Sequence, residues 1–420
     1  MSGNFSLLDD SQFDNNPTIT GQLKPVAVEV VAPNGVLLVY LKRPPTIPPP
    51  TIPPTPPIID ETPEPLPPVN PEAPIPEEDV VQLLDPTVQQ LTALFEISFS
   101  GSNIQRFNLD DRMTQIQRSI TPPPPAPGPY IGKGAEGKAP PPPAYQPGPC
   151  WGVWANGWGD FVNLDDSSLA KGYRFTTGGV SVGIDYRLTD HLALGLFGAY
   201  AHTWTDFRPG DGDVNTGRGG LYATYWDPQG WWVNAGIWGG YNSYSTSRQA
   251  LLGPANGSTS GYEFSTFGDA GYDFHCGDLT FGPIVSMQYT DVHVNGFSEN
   301  GSLVPLAIHG DSQDSLRTDV GGRAYYNWHL GKMLIIPSLT IAWEHEYLYS
   351  NLPITASAPE LGGATATFNG PNEGHDSLLI NAGAGVQWTP RISTYIGYQG
   401  QLGRDNYNAN GVTGTFSFSF

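Results

Sequence analysis

From about residue 150 onward the chain alternates apolar and polar side chains in one long segment after another, and this alternation limits its fold more than any other feature. In the stretch 378–388, Leu378, Ile380, Ala382, Ala384, Val386 and Trp388 share one face, while Asn381, Gly383, Gly385 and Gln387 share the other. In 392–401, Ile392, Thr394, Ile396 and Tyr398 oppose Ser393, Tyr395, Gln399 and Gln401. In 316–328, Leu316, Val320, Ala324, Tyr326 and Trp328 oppose Arg317, Asp319, Arg323 and Asn327. A period of two residues belongs to strands, because successive side chains point to opposite sides of the pleat. The segments also run well beyond the five or six residues usual for strands in globular sheets.

Read this way, the chain predicts strands at 150–163, 172–187, 191–206, 214–227, 230–245, 259–275, 278–295, 312–329, 332–347, 374–389, 391–404 and 409–420. The count is even. Short connections at 188–190, 227–230, 276–277, 330–331 and around Pro390 alternate with long ones. The long ones include LLGPANGST, the stretch 296–311, and Asn351 to Glu373, the longest. An even number of long alternating strands, with short turns at one end and long loops at the other, is the signature of an outer-membrane β-barrel. Its apolar face would meet lipid and its polar face a wet or hydrogen-bonded lumen. Aromatics near predicted strand ends fit interfacial girdles: Tyr186, Tyr225, Trp226, Trp231, Trp232, Trp328, Tyr347 and Trp388. The final TFSFSF places Phe416, Phe418 and Phe420 on one side of the closing strand, where pairing to the first strand would leave no edge.

Composition is consistent with this reading. No run of about 18 apolar residues predicts a membrane helix, and a mean hydropathy of −0.27 is no obstacle when only every second residue must be apolar. The balance of 19 Lys plus Arg against 40 Asp plus Glu, a formal charge of −21, excludes nucleic acid as a partner. Two cysteines, Cys150 and Cys276, make neither a disulfide framework nor a metal site. They fall near the same end but on opposite walls, so no disulfide is expected between them. The opening MSGNFSLLDD shows neither a basic n-region nor an apolar h-region. Alone that suggests a cytosolic chain, but the rest suggests a fragment or a misplaced start.

Ahead of the barrel the 42 prolines cluster. Residues 22–43 read as two strands around a Pro-Asn-Gly turn, and 44–84 as an extended Pro-rich linker. Between 85 and 120 the pattern is helical: Asp85 can cap, Pro86 can take the first position, and Leu109, Met113, Ile116 and Ile120 recur on one face. A second Pro-rich connector, 121–149, ends the helix. With strands about 4.8 Å apart and tilted about 40°, twelve strands close to a backbone diameter of roughly 24 Å and a bore of about 10–12 Å. That bore matches one α-helix with its side chains.

Residues 150–420 closely resemble the C-terminal translocator domain of autotransporters, the type V secretion family. The likeness is carried by WGVWANGWGDFVNL, by DSLRTDVGGRAYYNWHLGKMLIIPSLTIAWEHEY, and most clearly by SLLINAGAGVQWTPRISTYIGYQGQLGRDNYNANGVTGTFSFSF. NIQRFNLDDRMTQIQRS looks like the helical linker that the family threads through its barrel, which shifts 103–119 from a surface helix to a luminal one. The resemblance implies an outer-membrane domain that carries an N-terminal passenger to the cell surface. Its partners would be lipid, the barrel-assembly machinery and its own passenger, of which 1–43 would be a remnant. Phe416, Phe418 and Phe420 resemble the signal that the machinery reads.

On this reading no catalytic residue, metal or cofactor is expected. Glu344 and Glu346 in WEHEY could do acid–base work or, with His345, attract a metal. Alternation separates the histidine from the carboxylates, so the expected role is pairing with luminal Arg317, Arg323 or a cation of the inserted segment. Asp319 shares that polar face. Asp110 and Asp111 of the helix are expected to meet luminal arginine. The competing functions are a non-secreting pore or structural barrel, which would conduct without displacement of a helix, and an outer-membrane hydrolase, which would need a nucleophile that no motif here supplies.

Overall fold

The computed structural model describes residues 28–31, 38–41, 86–118 and 151–420, less 167–170, 208–209, 251–252, 303–304, 332, 349–351 and 360–362. The two N-terminal pieces, Val28–Val31 and Leu38–Leu41, pair antiparallel. The cap at Asp85, the Pro-rich linker and connector, Ile120 and Cys150 lie outside the described residues.

The strands are β1 (Trp151–Leu164), β2 (Arg174–Thr189), β3 (Leu192–Asp206), β4 (Gly210–Trp226), β5 (Trp231–Ala250) and β6 (Gly253–Tyr272). They continue as β7 (Leu279–Val294), β8 (Asp311–Tyr326), β9 (Met333–Glu346), β10 (Asp376–Gln387), β11 (Ile392–Arg404) and β12 (Tyr407–Ser419). Short pieces Phe274–Cys276 and Trp328–Leu330 extend β6 and β8 toward the turns. Each strand pairs antiparallel with its sequence neighbour, and β12 pairs with β1 from Tyr407↔Leu164 to Ser419↔Gly152. Trp151 and Phe420 exchange both backbone hydrogen bonds, at 3.1 and 2.9 Å, so the twelve-stranded barrel closes without a free edge.

The outer surface is apolar in the middle and aromatic at both rims. Val182, Leu196, Leu221 and Ile396 stand exposed along the waist, Ile396 at 69%. At the short-turn rim Trp151 lies against Tyr186, with centroids 4.6 Å apart, and Trp231 against Tyr272 at 4.9 Å. At the other rim Trp204, Tyr241, Tyr262 and Trp343 are exposed, with Tyr241 directly opposite Tyr262. Such girdles place amphipathic rings at the two membrane interfaces.

Two expectations about this surface need correction. Trp232 is 3% exposed and lies under the Arg323 guanidinium, and Trp226 packs on a luminal cluster. Each follows or precedes another aromatic in sequence, and neighbours in a strand must face opposite ways. Likewise Gly253 to Thr259 of LLGPANGST form strand rather than loop. β5 and β6, each 20 residues long, continue as a paired hairpin to Ala250 and Gly253. The other two long connections are folded rather than loose. Phe297–Ser298 and Ala307–Ile308 from the β7–β8 connection join Ile354–Ala358 and Ala364–Phe368 from the β9–β10 connection in a four-stranded sheet.

On the inner wall, glycines admit aromatic rings. A Cβ at Gly183 would fall 2.5 Å from Trp154, and one at Gly195 would fall 2.1 Å from Tyr222. Trp154 donates to the Tyr222 hydroxyl at 2.8 Å, and Tyr222 donates to Asp185 at 2.9 Å. We expect Gly195→Val to cost about 1–3 kcal/mol through overpacking. It should lower the temperature at which the barrel's gel mobility shifts by more than Tyr222→Phe does, since the latter removes only a hydroxyl.

Candidate functional site

Among the described residues the lumen holds a single continuous helix. A 3-10 turn, Pro86–Thr92, leads into α1, Ala93–Arg118, whose 26 residues extend about 39 Å at 1.5 Å per residue. That exceeds the roughly 25 Å of a barrel's apolar band. By its composition α1 has no business in a core: Glu96, Ser98, Ser100, Ser102, Asn103, Gln105, Arg106, Asn108, Arg112 and Thr114 are all buried. Polar residues are buried at low cost only when their hydrogen bonds are met, and the polar face of the barrel meets most of them. Gly101, a weak point in an isolated helix, leaves room for Arg218, which a Cβ would approach to 2.6 Å.

From the long-loop end inward, the contacts form layers. Val88 and Leu91 sit beneath the four-stranded loop sheet, against Leu306, Ile308, Ile354 and Ala356. Leu94, Phe95 and Phe99 pack with Val162, Tyr173, Phe207 and Tyr244. Leu352 reaches this cluster from the β9–β10 connection at φ 38, a left-handed conformation that leucine rarely adopts. A hydrogen-bonded belt follows. Ser100 donates to Asp160 at 2.6 Å, Ser102 to Glu263 at 3.1 Å, Ser181 to Gln105 at 3.1 Å, and Thr413 to Asn108 at 3.0 Å. Arg106 donates to Asp319 at 2.6 Å and lies 3.8 Å from Asp269. Arg112 grips Asp185 with two bonds, at 2.9 and 3.0 Å.

Nearer the short-turn end, Leu109, Met113 and Ile116 bury against Trp154, Phe197, Tyr222, Trp238 and Phe267. Asp110 accepts from Asn234 at 2.6 Å, and Asp111 from Asn381 at 3.3 Å and Tyr395 at 3.4 Å. The expected meeting of these two aspartates with luminal arginine is therefore replaced by amide and phenol contacts. The helix–wall ion pairs run the other way, with cations on the helix and carboxylates on the wall. Arg106 and Arg112 carried this signal in the sequence, but nothing local gave their height or direction in the lumen.

Most of the wall's own arginines are satisfied within the wall and its loops. Arg218 pairs with Glu263, Arg248 with Glu299 at 2.6 Å, and Arg317 with Glu346 at 2.9 Å. Arg323 pairs with Asp273 at 2.8 Å, and Arg404 with Glu373 at 3.3 Å. Glu344 accepts from Ser377 at 3.0 Å and from Gln401. His345 lies on the outer face and bonds to Asp376 at 2.8 Å, apart from Glu344 and Glu346. In the β9–β10 connection, burial and the neighbouring Glu96 push the Glu373 carboxyl well above its usual range. Cys276 is free and exposed. A cavity of about 80 Å³ lies at the short-turn mouth, between the C-terminal end of α1 and β9–β11.

A closed membrane barrel occupied along its length by a helix of its own chain has the architecture of an outer-membrane translocator. The autotransporter beta-domain profile matches residues 153–399, more than half of the chain, and the chain belongs to that family. Among solved structures, the translocator domain of NalP from Neisseria meningitidis aligns with a TM-score of 0.54 at 12% identity, covering 64% of this chain and 89% of that one. The beta domain of Bordetella BrkA aligns at 0.51 and 17% identity, covering 64% and 100%. Curated relatives include an extracellular serine protease of Serratia marcescens, 25% identical over 280 residues, or 64% of this chain and 26% of that protein. Esterase EstA of Pseudomonas aeruginosa is 25% identical over 272 residues, or 61% and 41%. The chain thus spans about a quarter to two-fifths of the length of these relatives. It is an outer-membrane translocator for a passenger, and the non-secreting pore is not favoured.

Arg323 also touches Gln117 at 3.3 Å and Thr114 at 3.5 Å of the helix. Arg323→Glu should raise single-channel conductance in planar bilayers by loosening this end of α1, and conductance identical to the parent would refute the contact's role. Met113→Ala, at a fully buried site, should weaken helix retention by about 2–5 kcal/mol, read as faster proteolysis of α1 from the short-turn side.

Proposed function

We propose that residues 150–420 act without catalysis to bring out and then hold a passenger attached ahead of α1, with 1–43 as passenger sequence, 44–84 as linker, 85–120 as the helical segment and 121–149 as connector. The observation that carries this is the direction of α1. Its N-terminal end lies among the long connections and its C-terminal end at the short turns, so α1 opens toward the long-loop side. Long loops face outward in outer-membrane barrels. The non-catalytic reading is supported by what the luminal groups do: Asp160, Asp185, Glu263 and Asp319 are spent on the helix. The protease and esterase named among the relatives describe those proteins.

On the outside, Phe416 and Phe420 are exposed at 51% and 54%, and the Phe418 and Phe420 rings lie 5.9 Å apart. Lipid is their cover in the finished barrel. Before closure the same strand offers an unpaired edge and an aromatic row to the assembly machinery, a recognition by strand addition. Phe420→Ser should reduce the amount of heat-modifiable barrel in outer-membrane fractions, and unchanged abundance would refute the signal. For the passenger, an epitope inserted near residue 20 should be cleaved by protease added to intact cells. An epitope that stays protected while the barrel is assembled would overturn the proposed route.

A further inference from the structure

Beyond translocation, we propose that the lumen wall is an anionic sleeve. Its surplus charge holds α1 through Arg106 and Arg112, and makes the barrel a cation-selective conductor whenever the helix is displaced. The proposal rests on reading the helix as separable from the wall. The five ion pairs within the wall and its loops cancel in charge and draw uncharged contacts from the helix, from Ser102 to Glu263 and from Thr114 and Gln117 to Arg323. Five further carboxylates remain, Asp160, Asp185, Asp269, Asp319 and Glu344, against one further inward-facing wall arginine, Arg187 at the short-turn rim. All five carboxylates are buried, and none has a wall arginine or lysine within ion-pair distance among the described residues.

The helix answers this surplus only in part. Arg112 satisfies Asp185. Arg106 is left to serve Asp319 and Asp269 together, with Glu344 close enough to act on it electrostatically. Asp160 receives only the Ser100 hydroxyl from the helix. Three buried oxygens in this region, Asp269 Oδ1, Asp319 Oδ1 and Glu344 Oε2, have no hydrogen-bond partner. The wall therefore asks for more positive charge than α1 brings.

These carboxylates stand on β1, β2, β6, β8 and β9, so they surround the axis rather than line one side. Rings of Asp and Glu in a narrow pore select cations. In a bore of about 10–12 Å no point lies farther from the wall than a Debye length, about 8 Å at physiological salt. Screening would not erase the field, and inorganic cations such as K⁺ would be concentrated and Cl⁻ excluded.

The test uses the full chain carrying Arg106→Gln and Arg112→Gln, with assembly checked by gel mobility, in planar bilayers under a KCl gradient. We expect it to conduct where the parent is closed, with a reversal potential showing a several-fold preference for K⁺. Adding Asp160→Asn, Asp185→Asn, Asp269→Asn, Asp319→Asn and Glu344→Gln should keep the current and abolish the preference, whereas Arg106→Lys with Arg112→Lys should stay closed. If the double variant fails to assemble, Arg112→Gln alone carries the test, because a cavity of about 40 Å³ already adjoins Arg112 and Asp185. A variant as closed as the parent, an unselective or anion-selective current, or a preference that survives the amide substitutions would each overturn the proposal. Passenger exposure on intact cells, measured in parallel, separates this failure from failure of the translocator reading.

Discussion

In hydrocarbon a backbone N–H or C=O without a partner costs several kcal/mol, and no water is present to supply one. The pairing of β12 with β1 removes the last such edge, and every other strand depends on it. Once the sheet closes, alternation sorts each strand into two solvents. Outward side chains must suit lipid, and inward ones must be satisfied by whatever fills the bore. Wall and contents are therefore one problem. A lumen lined with Asp, Glu, Arg, Asn and Thr is stable when water or a polar segment of matching pattern meets those groups, and α1 is such a segment.

This explains a helix that is a poor core element by ordinary measures. Most of its buried serines and arginines meet a partner on the wall at their own height, and its apolar residues gather in two clusters toward the ends, with Ile104 against Trp158 between them. The chain Trp154–Tyr222–Asp185–Arg112 shows how far the matching extends. A ring seated over a wall glycine orients a phenol, the phenol orients a carboxylate, and the carboxylate grips the helix. Buried ion pairs of this kind add little net stability over apolar packing, but they penalise a wrong partner heavily. A plug that must enter one barrel in one register benefits from that penalty more than from raw affinity.

The loops add a second layer of retention. Connections that read as long and irregular are a hairpin continued beyond the barrel and a four-stranded sheet over the entry of the helix. Their apolar side chains, Leu306, Ile308, Ile354 and Leu352, cover Val88, Leu91 and the first turn of α1, where the barrel wall ends. Proline and glycine punctuation marked these stretches as loops, because turn signals are local. The pairing that turned them into strands joins segments from two different connections.

The strands, their number and the facing of most strand residues were legible in the sequence. A two-residue period is a local property, and a membrane enforces it without exception. The helix over 93–118 was legible in outline for the same reason. Which way Trp226 and Trp232 faced depended on where strands began and ended, a matter of one residue. Whether Asp110 or Arg106 met a charge depended on strand register and on how far the helix stood in the bore. Those are relations between residues hundreds of positions apart, such as Asn108 with Thr413 and Arg106 with Asp319, and only the closed barrel brought them to one height.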